Sequence, residues 1–558
     1  MTIGVLLALQ LRLRAGLRTL VLQADLQHGF DLAWRDAVRV QLRAAGLVGR
    51  WWLAADASLG AESVRVRIGP LVAPAVALLE FGVGQGRRAG VHLFGALIRG
   101  LIDCCAASAA PVPLGPPGSP AAQFSFLLLQ FVDDSFALQA SESGVAAVAR
   151  GLSAFCARYR HAFQGGPTKG PAVMAVGGPP PDVAACGQVA GWDVRAAPSL
   201  SCLGVPIETA LSLTPLLDRA CARLRDGARK LIAGMTDRGF GMPVQAVQFP
   251  ARVEASALYG TELLASCALG WPAVRARLNQ VYYDLAKLLL TGASGTLSLG
   301  PGGHVRAFLE ARFLTRLGTK VTRRVIMARA RLALLPSPSP ISPVLAALAA
   351  AGGEATWLEH AEAVAREVGV SAWPSAAPGA TPDQRRRVGA AWGRAVVDPL
   401  LEALESDWFV EQVGRLAGDG LVSLGDILPL RQPWPRELLQ ARWGPAMWRY
   451  HRAWCTARVT LCIPGAVWGL YEDPVVVSAE PCPLCGGPTA SLPHLVEECA
   501  ELEAFRREAA PWYPAAPLTL AWALGPDGDM DVIADRVRLV GAATGAYVGA
   551  RVRARTRA

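Results

Sequence analysis

The sequence predicts an α+β fold: an antiparallel sheet with packed helices, then a mostly α-helical region and a small Cys/His module. Three observations carry the prediction. Apolar runs of strand length alternate with helical periodicity up to Gly177-Gly178-Pro179-Pro180-Pro181, a cluster that breaks the chain. After it, apolar residues recur at helical spacing, as in Leu216, Leu217, Ala220, Leu224 and Ala228, the mark of an amphipathic helix. Near the C-terminal end, Cys482-Pro483-Leu484-Cys485 is followed by His494 and Cys499, a C-x2-C-x8-H-x4-C pattern.

The elements follow in order. Leu6, Leu9 and Leu13 stand at helical spacing, so the first residues form one helix packing on the sheet. Arg12, Arg14 and Arg18 follow this apolar run instead of preceding it, the reverse of a secretory signal. The run is too short to span a bilayer, and no uninterrupted apolar stretch of roughly 18 residues occurs, so no membrane partner is expected. Strands are expected over Leu20–Asp25, Ser63–Ile68, Phe124–Val132, Ser135–Ala140 and Val173–Gly177, and helices over Trp34–Ala45, Gly90–Ala106 and Ser143–Tyr159. Ala109 to Pro120 reads as a Pro/Gly/Ala loop, and Leu211 to Thr236 and Leu278 to Leu290 as amphipathic helices. Pro336 to Pro343 and Ser371 to Pro382 read as linkers.

Carboxylates stand at two strand ends. Asp133-Asp134 closes the run Phe124-Ser125-Phe126-Leu127-Leu128-Leu129 and precedes a second run, Phe136-Ala137-Leu138, which reads as a hairpin with charge at its tip. Asp is also common in plain solvated turns. Burying adjacent carboxylates is unfavourable unless a cation compensates them. Asp25 ends the run Leu20-Val21-Leu22-Gln23-Ala24, and a strand delivering it beside Asp133 and Asp134 completes a two-Mg²⁺ site. Phe30 follows five positions on, and if a nucleotide's sugar were bound beside it, so bulky a ring would exclude a 2′-hydroxyl.

In this order and spacing the motifs resemble the reverse transcriptases of non-LTR (LINE-type) retrotransposons, over roughly residues 1–270. Asp25 to Asp31 resembles the first palm motif, Gly82-Val83-Gly84-Gln85-Gly86 the second and Phe131-Val132-Asp133-Asp134 the third. Phe155 to Tyr159, Thr168-Lys169 and Val173 to Gly177 resemble the helix and strand that follow. Cys202-Leu203-Gly204-Val205-Pro206 resembles the Leu-Gly element entering the thumb, and Leu258-Tyr259-Gly260-Thr261-Glu262 a thumb motif. The resemblance implies a polymerase palm with a remnant of fingers over 1–178 and a thumb-like helical region over 179–300. It implies catalysis and Mg²⁺ ligation by Asp25, Asp133 and Asp134, and nucleotide contacts from Phe30, Gln85, Gly86 and Lys169. Its partners are an RNA template, a DNA primer or target, and deoxynucleoside triphosphates, in the nucleus or cytoplasm. Only 24 residues precede Asp25, so the resemblance implies that the fingers are largely missing. The motif continues Arg87-Arg88-Ala89 where the family has Pro-Leu-Ser-Pro, and Pro167 takes the strictly aligned place of a Lys that Lys169 fills two positions late. The alternative to an RNA-directed DNA polymerase is a non-catalytic nucleic-acid-binding remnant of one.

The remaining chain is read as a helical connector over 301–470, a CCHC zinc knuckle over 471–510, and a C-terminal helix with a basic tail over 511–558. Cys482, Cys485, His494 and Cys499 fill a tetrahedral Zn²⁺ shell with no open position, so this site is expected to be structural. Twelve Cys without regular pairing argue for a reducing compartment, with Cys202, Cys221 and Cys267 as small core residues. Arg306, Arg312, Arg316, Arg323, Arg324, Arg329 and Arg331 suggest a basic amphipathic helix, either a solvated face or a surface for nucleic acid. Trp434, Trp443, Trp448 and Trp454 are either core or stacking platforms, and Arg551 to Arg557 is a basic arm. Charged residues at 18% against 52% apolar exclude a disordered chain. The net charge of +10 suits phosphate but does not by itself establish nucleic-acid binding.

Overall fold

The computed structural model describes residues 2–418 except 61, 65–66, 69–70, 73–76, 80–81, 84–89, 132, 167–168, 292–300, 337–338, 340 and 352–355. Beyond 418 it describes 439–440, 447, 451, 454–455, 481–487, 494–510, 518, 520–523 and 531–540. Asp133, Asp134 and Lys169 fall inside these limits. Gln85, Gly86, Trp434, Trp443, Trp448 and the basic tail lie outside the described residues.

The first strand, β1 (Thr19–Asp25), is the centre of a five-stranded sheet. A hairpin of β2 (Leu128–Phe131) and β3 (Asp134–Gln139) pairs antiparallel on one side of it. On the other side β4 (Ala172–Val176) pairs antiparallel, and β5 (Arg195–Ala196) adds parallel to β4. The expected strand over Phe124–Val132 is broken at Leu127 because it changes partner there. Ser125–Phe126 pairs with Val112–Pro113, inside the stretch read as loop, whereas Leu128 onward pairs with β3. The expected strand over Ser63–Ile68 is likewise divided, Glu62–Val64 pairing with Ala77–Leu79 and Arg67–Ile68 with Leu71–Val72.

Strand side chains alternate between faces, so each face of the sheet meets a different core. Leu20, Leu22, Ala24, Ala137, Val173 and Ala175 belong to one apolar cluster. It also takes in the buried faces of three helices, α1 (Arg35–Ala44), α2 (Gly90–Ser108) and α3 (Glu142–Tyr159). Ser141 caps α3, accepting from the Gly144 amide at 3.3 Å, and Arg160 ends it in the left-handed region with φ 54°. Helix α2 is long and apolar enough to cross a membrane, but Leu93, Phe94, Leu97, Ile98, Leu101 and Cys105 are buried in this core.

Val21, Phe136, Leu138, Met174 and Val176 face the other way, into a second cluster that reaches Val540. The N-terminal helix, Thr2–Arg14, lies here, with Val5, Leu6, Leu7, Ala8 and Leu9 wholly buried. It packs on the sheet as its Leu spacing predicts, and its opposite side is covered as well. Gln10 donates to Ser266 Oγ at 3.3 Å and accepts from the Trp357 amide at 2.9 Å. The helical half then runs through Thr214–Thr236, Trp271–Thr291, Pro301–Glu310, Leu317–Ala333, Trp357–Glu367 and Asp398–Gly418. Leu216, Leu217, Ala220, Leu224 and Ala228 are the buried stripe of the first of these, as their spacing requires. Cys202, Cys221 and Cys267 are buried in the same cluster.

The Arg-rich stretch 304–333 corrects both of its expected readings. It is two helices, interrupted between Glu310 and Leu317, with Arg312 at φ 57°. Most of its guanidinium groups point into the protein. Arg306 pairs with Glu310 at 2.8 Å with both side chains almost fully buried. Arg316, Arg323 and Arg329 pair with Glu405, Asp398 and Glu362 at 2.9, 2.6 and 2.7 Å. Arg324 donates to the Leu258 carbonyl at 3.1 Å, while the paired Arg323 and Arg331 are exposed. These charges tie helices together instead of forming a solvated or phosphate-facing stripe. Trp454 is 1% exposed and donates to the Ala523 carbonyl at 2.9 Å, so it is core.

Candidate functional site

The sheet register brings Asp25 and Asp134 directly opposite each other, with the Leu26 amide donating to the Asp133 carbonyl at 3.0 Å. Alternation along β1 puts Asp25 on the face of Val21 and Gln23, and Asp134 shares the face of Phe136 and Leu138. Gln23 marks where that face looks: its side chain donates to the Ser201 carbonyl at 2.9 Å, in the hairpin Ser199–Cys202 and Val205–Glu208. The two-residue loop of that hairpin, Leu203-Gly204, has φ of 51° and 74°, the signature of a type I′ turn. Gly260 packs on it at φ 81°, where a Cβ would stand 2.6 Å from Val205 Cγ2, so both Leu-Gly and Tyr-Gly elements meet beside the carboxylates' face.

Three half-buried carboxylates therefore share one turn and strand end. Burial first, then the charges of Asp133 and Asp134, push the Asp25 carboxyl up from 3.8 to about 6, against the opposing pull of Lys169. Asp134 is likewise pushed up to about 6, by burial and then by Asp133. A group of acids held in mutual repulsion has the hard oxygen donors that Mg²⁺ takes, and a divalent cation would relieve the strain.

The segment after helix α3, His161 to Gln164, holds Asp25 in place, and sequence reasoning did not single it out. Leu26 bridges Phe163, the Gln27 amide donates to the Ala162 carbonyl at 2.9 Å, and the Gln164 amide donates to the Asp25 carbonyl at 2.7 Å. Gln164 Nε2 also donates to Asp25 Oδ2 at 2.6 Å. The sole sequence signal was an aromatic–amide pair, Phe163-Gln164, ahead of a Gly-Gly turn.

Between Asp25 and Phe30 the chain turns through His28 at φ 48°, whose carbonyl accepts from the Asp31 and Leu32 amides at 2.9 Å. Phe30 is half-buried and stacks on Phe94 with ring centroids 4.7 Å apart. Its carbonyl accepts from the Val83 amide at 3.0 Å. Lys169 is exposed, and its charge reaches Asp25.

The second site is the Cys/His module. The ligand atoms of Cys482, Cys485, His494 and Cys499 all lie within 4.8 Å of one another, and among the described residues no other His/Cys/Asp/Glu group is gathered in this way. The first two Cys sit on a tight turn: Gly486 N donates to the Cys482 carbonyl and Cys482 N to the Gly487 carbonyl, both at 2.8 Å. Gly487 N points at Cys485 Sγ, 3.4 Å away. That amide first, and then His494, Cys499 and Cys482, bring the Cys485 thiol down to about 7. Burial first, then Cys485, pushes Cys499 up to about 12. His494 Nε2 lies 3.2 Å from Cys485 Sγ, while its Nδ1 faces Glu498 Oε2 at 3.3 Å, an outer carboxylate that orients the ring. Three soft sulfurs and one imidazole in such a group could bind a zinc ion.

No protein-family model matches this chain, and no curated protein matches it.

Proposed function

We propose that the sheet site is a nucleotidyl-transfer centre of the RNA-directed DNA polymerase kind, acting on an RNA template, a DNA primer and deoxynucleoside triphosphates. The observation that carries the reading is the register that sets Asp25 against Asp134 with Asp133 at the adjoining turn. Asp25, Asp133 and Asp134 would hold two Mg²⁺ ions, which supply an activated primer 3′-hydroxyl and charge stabilisation of the departing pyrophosphate. The new bond joins the primer 3′-oxygen to the α-phosphorus as the bond from that phosphorus to the bridging oxygen breaks. Gln164 fixes the Asp25 carboxylate through its 2.6 Å hydrogen bond. Phe30 supplies a bulky ring where a ribose 2′-hydroxyl would lie, and Lys169 supplies positive charge toward the phosphates. The hairpin around Leu203-Gly204, on which the Gly260 turn packs, borders the sheet face that carries Asp25 through Gln23.

The Cys/His module is proposed to bind one structural Zn²⁺ and to hold nucleic acid downstream of the palm. Zinc with four protein ligands leaves no position for substrate, so its contribution is to fold residues 482–499.

The test is primer extension on poly(rA)/oligo(dT) with Mg²⁺. Extension by the wild type that is lost in Asp133→Asn supports the polymerase. Salt-sensitive RNA binding with no extension by the wild type leaves the binding remnant instead.

A further inference from the structure

Buried behind the Phe30 turn is an imidazole that the proposed mechanism does not use. His161 is 7% exposed, directly after the left-handed cap at Arg160, and its ring lies against Phe155 with centroids 6.2 Å apart. Its Nε2 lies 3.3 Å from the Gly29 carbonyl, and the Ala162 amide donates to its Nδ1 at 3.0 Å. Nδ1 also lies 3.3 Å from the Ala162 carbonyl, so its own role is open, but Nε2 faces a carbonyl, which only accepts, and the link to Gly29 therefore requires the proton on Nε2. The Gly29 carbonyl belongs to the peptide plane that enters Phe30, so its direction sets where the Phe30 ring starts. Gly29 has no slack of its own: a Cβ there would stand 2.9 Å from Phe94 Cζ and 3.3 Å from Asp133 Cβ. The turn is pinned at three points, by His161 behind it, by the Phe94 ring, and by the Val83 amide on the Phe30 carbonyl at 3.0 Å.

We infer that His161 is a positioning residue for sugar selection: its Nε2–H holds the Gly29 carbonyl and thereby aims Phe30 at the 2′ position of the incoming nucleotide. The inference rests on the polymerase reading and deepens it, because it assigns the choice between deoxyribose and ribose to a residue that touches neither substrate nor metal. A purely structural His would alter stability and leave the ratio of deoxy to ribo incorporation unchanged. A gate-positioning His alters that ratio.

The experiment compares His161→Leu, His161→Asn and His161→Gln with the wild type, on the full chain. It measures kcat and KM for dTTP and for UTP on poly(rA)/oligo(dT). Leu keeps the volume without a donor, Asn is too short to reach, and Gln carries a donor to the Nε2 position. The expected result is that Leu and Asn lose about tenfold in dTTP-over-UTP discrimination, the order of one net hydrogen bond, chiefly through KM, while Gln stays near the wild type. Discrimination unchanged in Leu and Asn overturns the inference. Should the Leu variant not fold, Asn is compared with Gln alone. Independently of activity, ¹⁵N NMR of the wild type is expected to report a proton on Nε2 of His161, and a proton on Nδ1 alone overturns the link to Gly29. A wild type that extends no primer removes the polymerase reading and the gate with it, whereas an active wild type with indifferent His161 variants removes the gate alone.

Discussion

The carboxylate turn and the Cys/His module are both clusters of potential metal ligands, but the protein builds them in opposite ways. Asp25, Asp133 and Asp134 stand at the ends of strands whose core is complete without any ion, buried on both sheet faces by apolar side chains. Among the described residues the module's buried cluster is small, Cys482, Leu495, Cys499 and Leu502, and two of those four are candidate ligands. In the first case the scaffold forces like charges together and an ion would relieve the repulsion. In the second the ion would itself be the core.

The largest effect that separates them is chelation. Removing zinc is expected to unfold 482–499, seen as rapid proteolysis confined to that region, because structural zinc contributes on the order of 10 kcal/mol in small finger peptides. Zinc content of about one ion per chain that falls in Cys499→Ser checks the ligand set, and full zinc retention in that variant would remove Cys499 from it. At the carboxylates the opposite behaviour is expected. Asp133→Asn should lower primer extension by about 10³-fold or more, by loss of ion positioning, yet raise the melting temperature of the metal-free protein by relieving repulsion on Asp25 and Asp134. A variant that melts lower without metal would show that the three groups do not repel. Gln164→Leu should cost about tenfold in extension at low Mg²⁺ and recover as Mg²⁺ rises, since one orienting hydrogen bond to Asp25 is lost.

The smallest expected effect is on pH. Asp25 and Asp134 titrate near 6 when folded, above the ordinary 3.8, so the folded state binds more protons between those values. Stability of the metal-free protein therefore falls as pH rises from about 4 through about 6, and levels off above. A thermal scan without metal should give a melting temperature a few degrees higher at pH 5 than at pH 7, with the gap closing when Mg²⁺ is added at pH 7. A gap that Mg²⁺ leaves untouched would separate the pH effect from these carboxylates.

The carboxylate strands were legible because each is an apolar run of strand length ending in Asp, and the Cys/His ligands because their spacing is itself the signal. What could not be read was anything that depends on a distant partner. Arg316, Arg323 and Arg329 look like one basic stripe in sequence. Their acids, Glu405, Asp398 and Glu362, come from helices 33 to 89 residues later, and only the fold reveals that the stripe is neutralised from within. The strand break at Leu127 has the same origin, since a change of partner leaves no mark on an unbroken apolar run. His161 and Gln164 were invisible for a further reason. Gln164 belongs to an irregular ladder along Asp25 to Gln27, and His161 meets the Gly29 carbonyl just beyond it; such pairing has no periodicity to detect.

The helix Thr2–Arg14 carries a consequence for biosynthesis. Its Gln10 is joined to Trp357, 347 residues further along, and although the sheet covers one side of the helix, the side facing that region has no cover until the region has been made. At translation speeds of about 5–20 residues per second, this greasy segment leaves the ribosome roughly 20–70 s before the surface that shelters it. Contacts between such remote parts also close slowly. The chain is therefore expected to depend on a holding chaperone during synthesis, and a segment made early would be among the last to reach its final place.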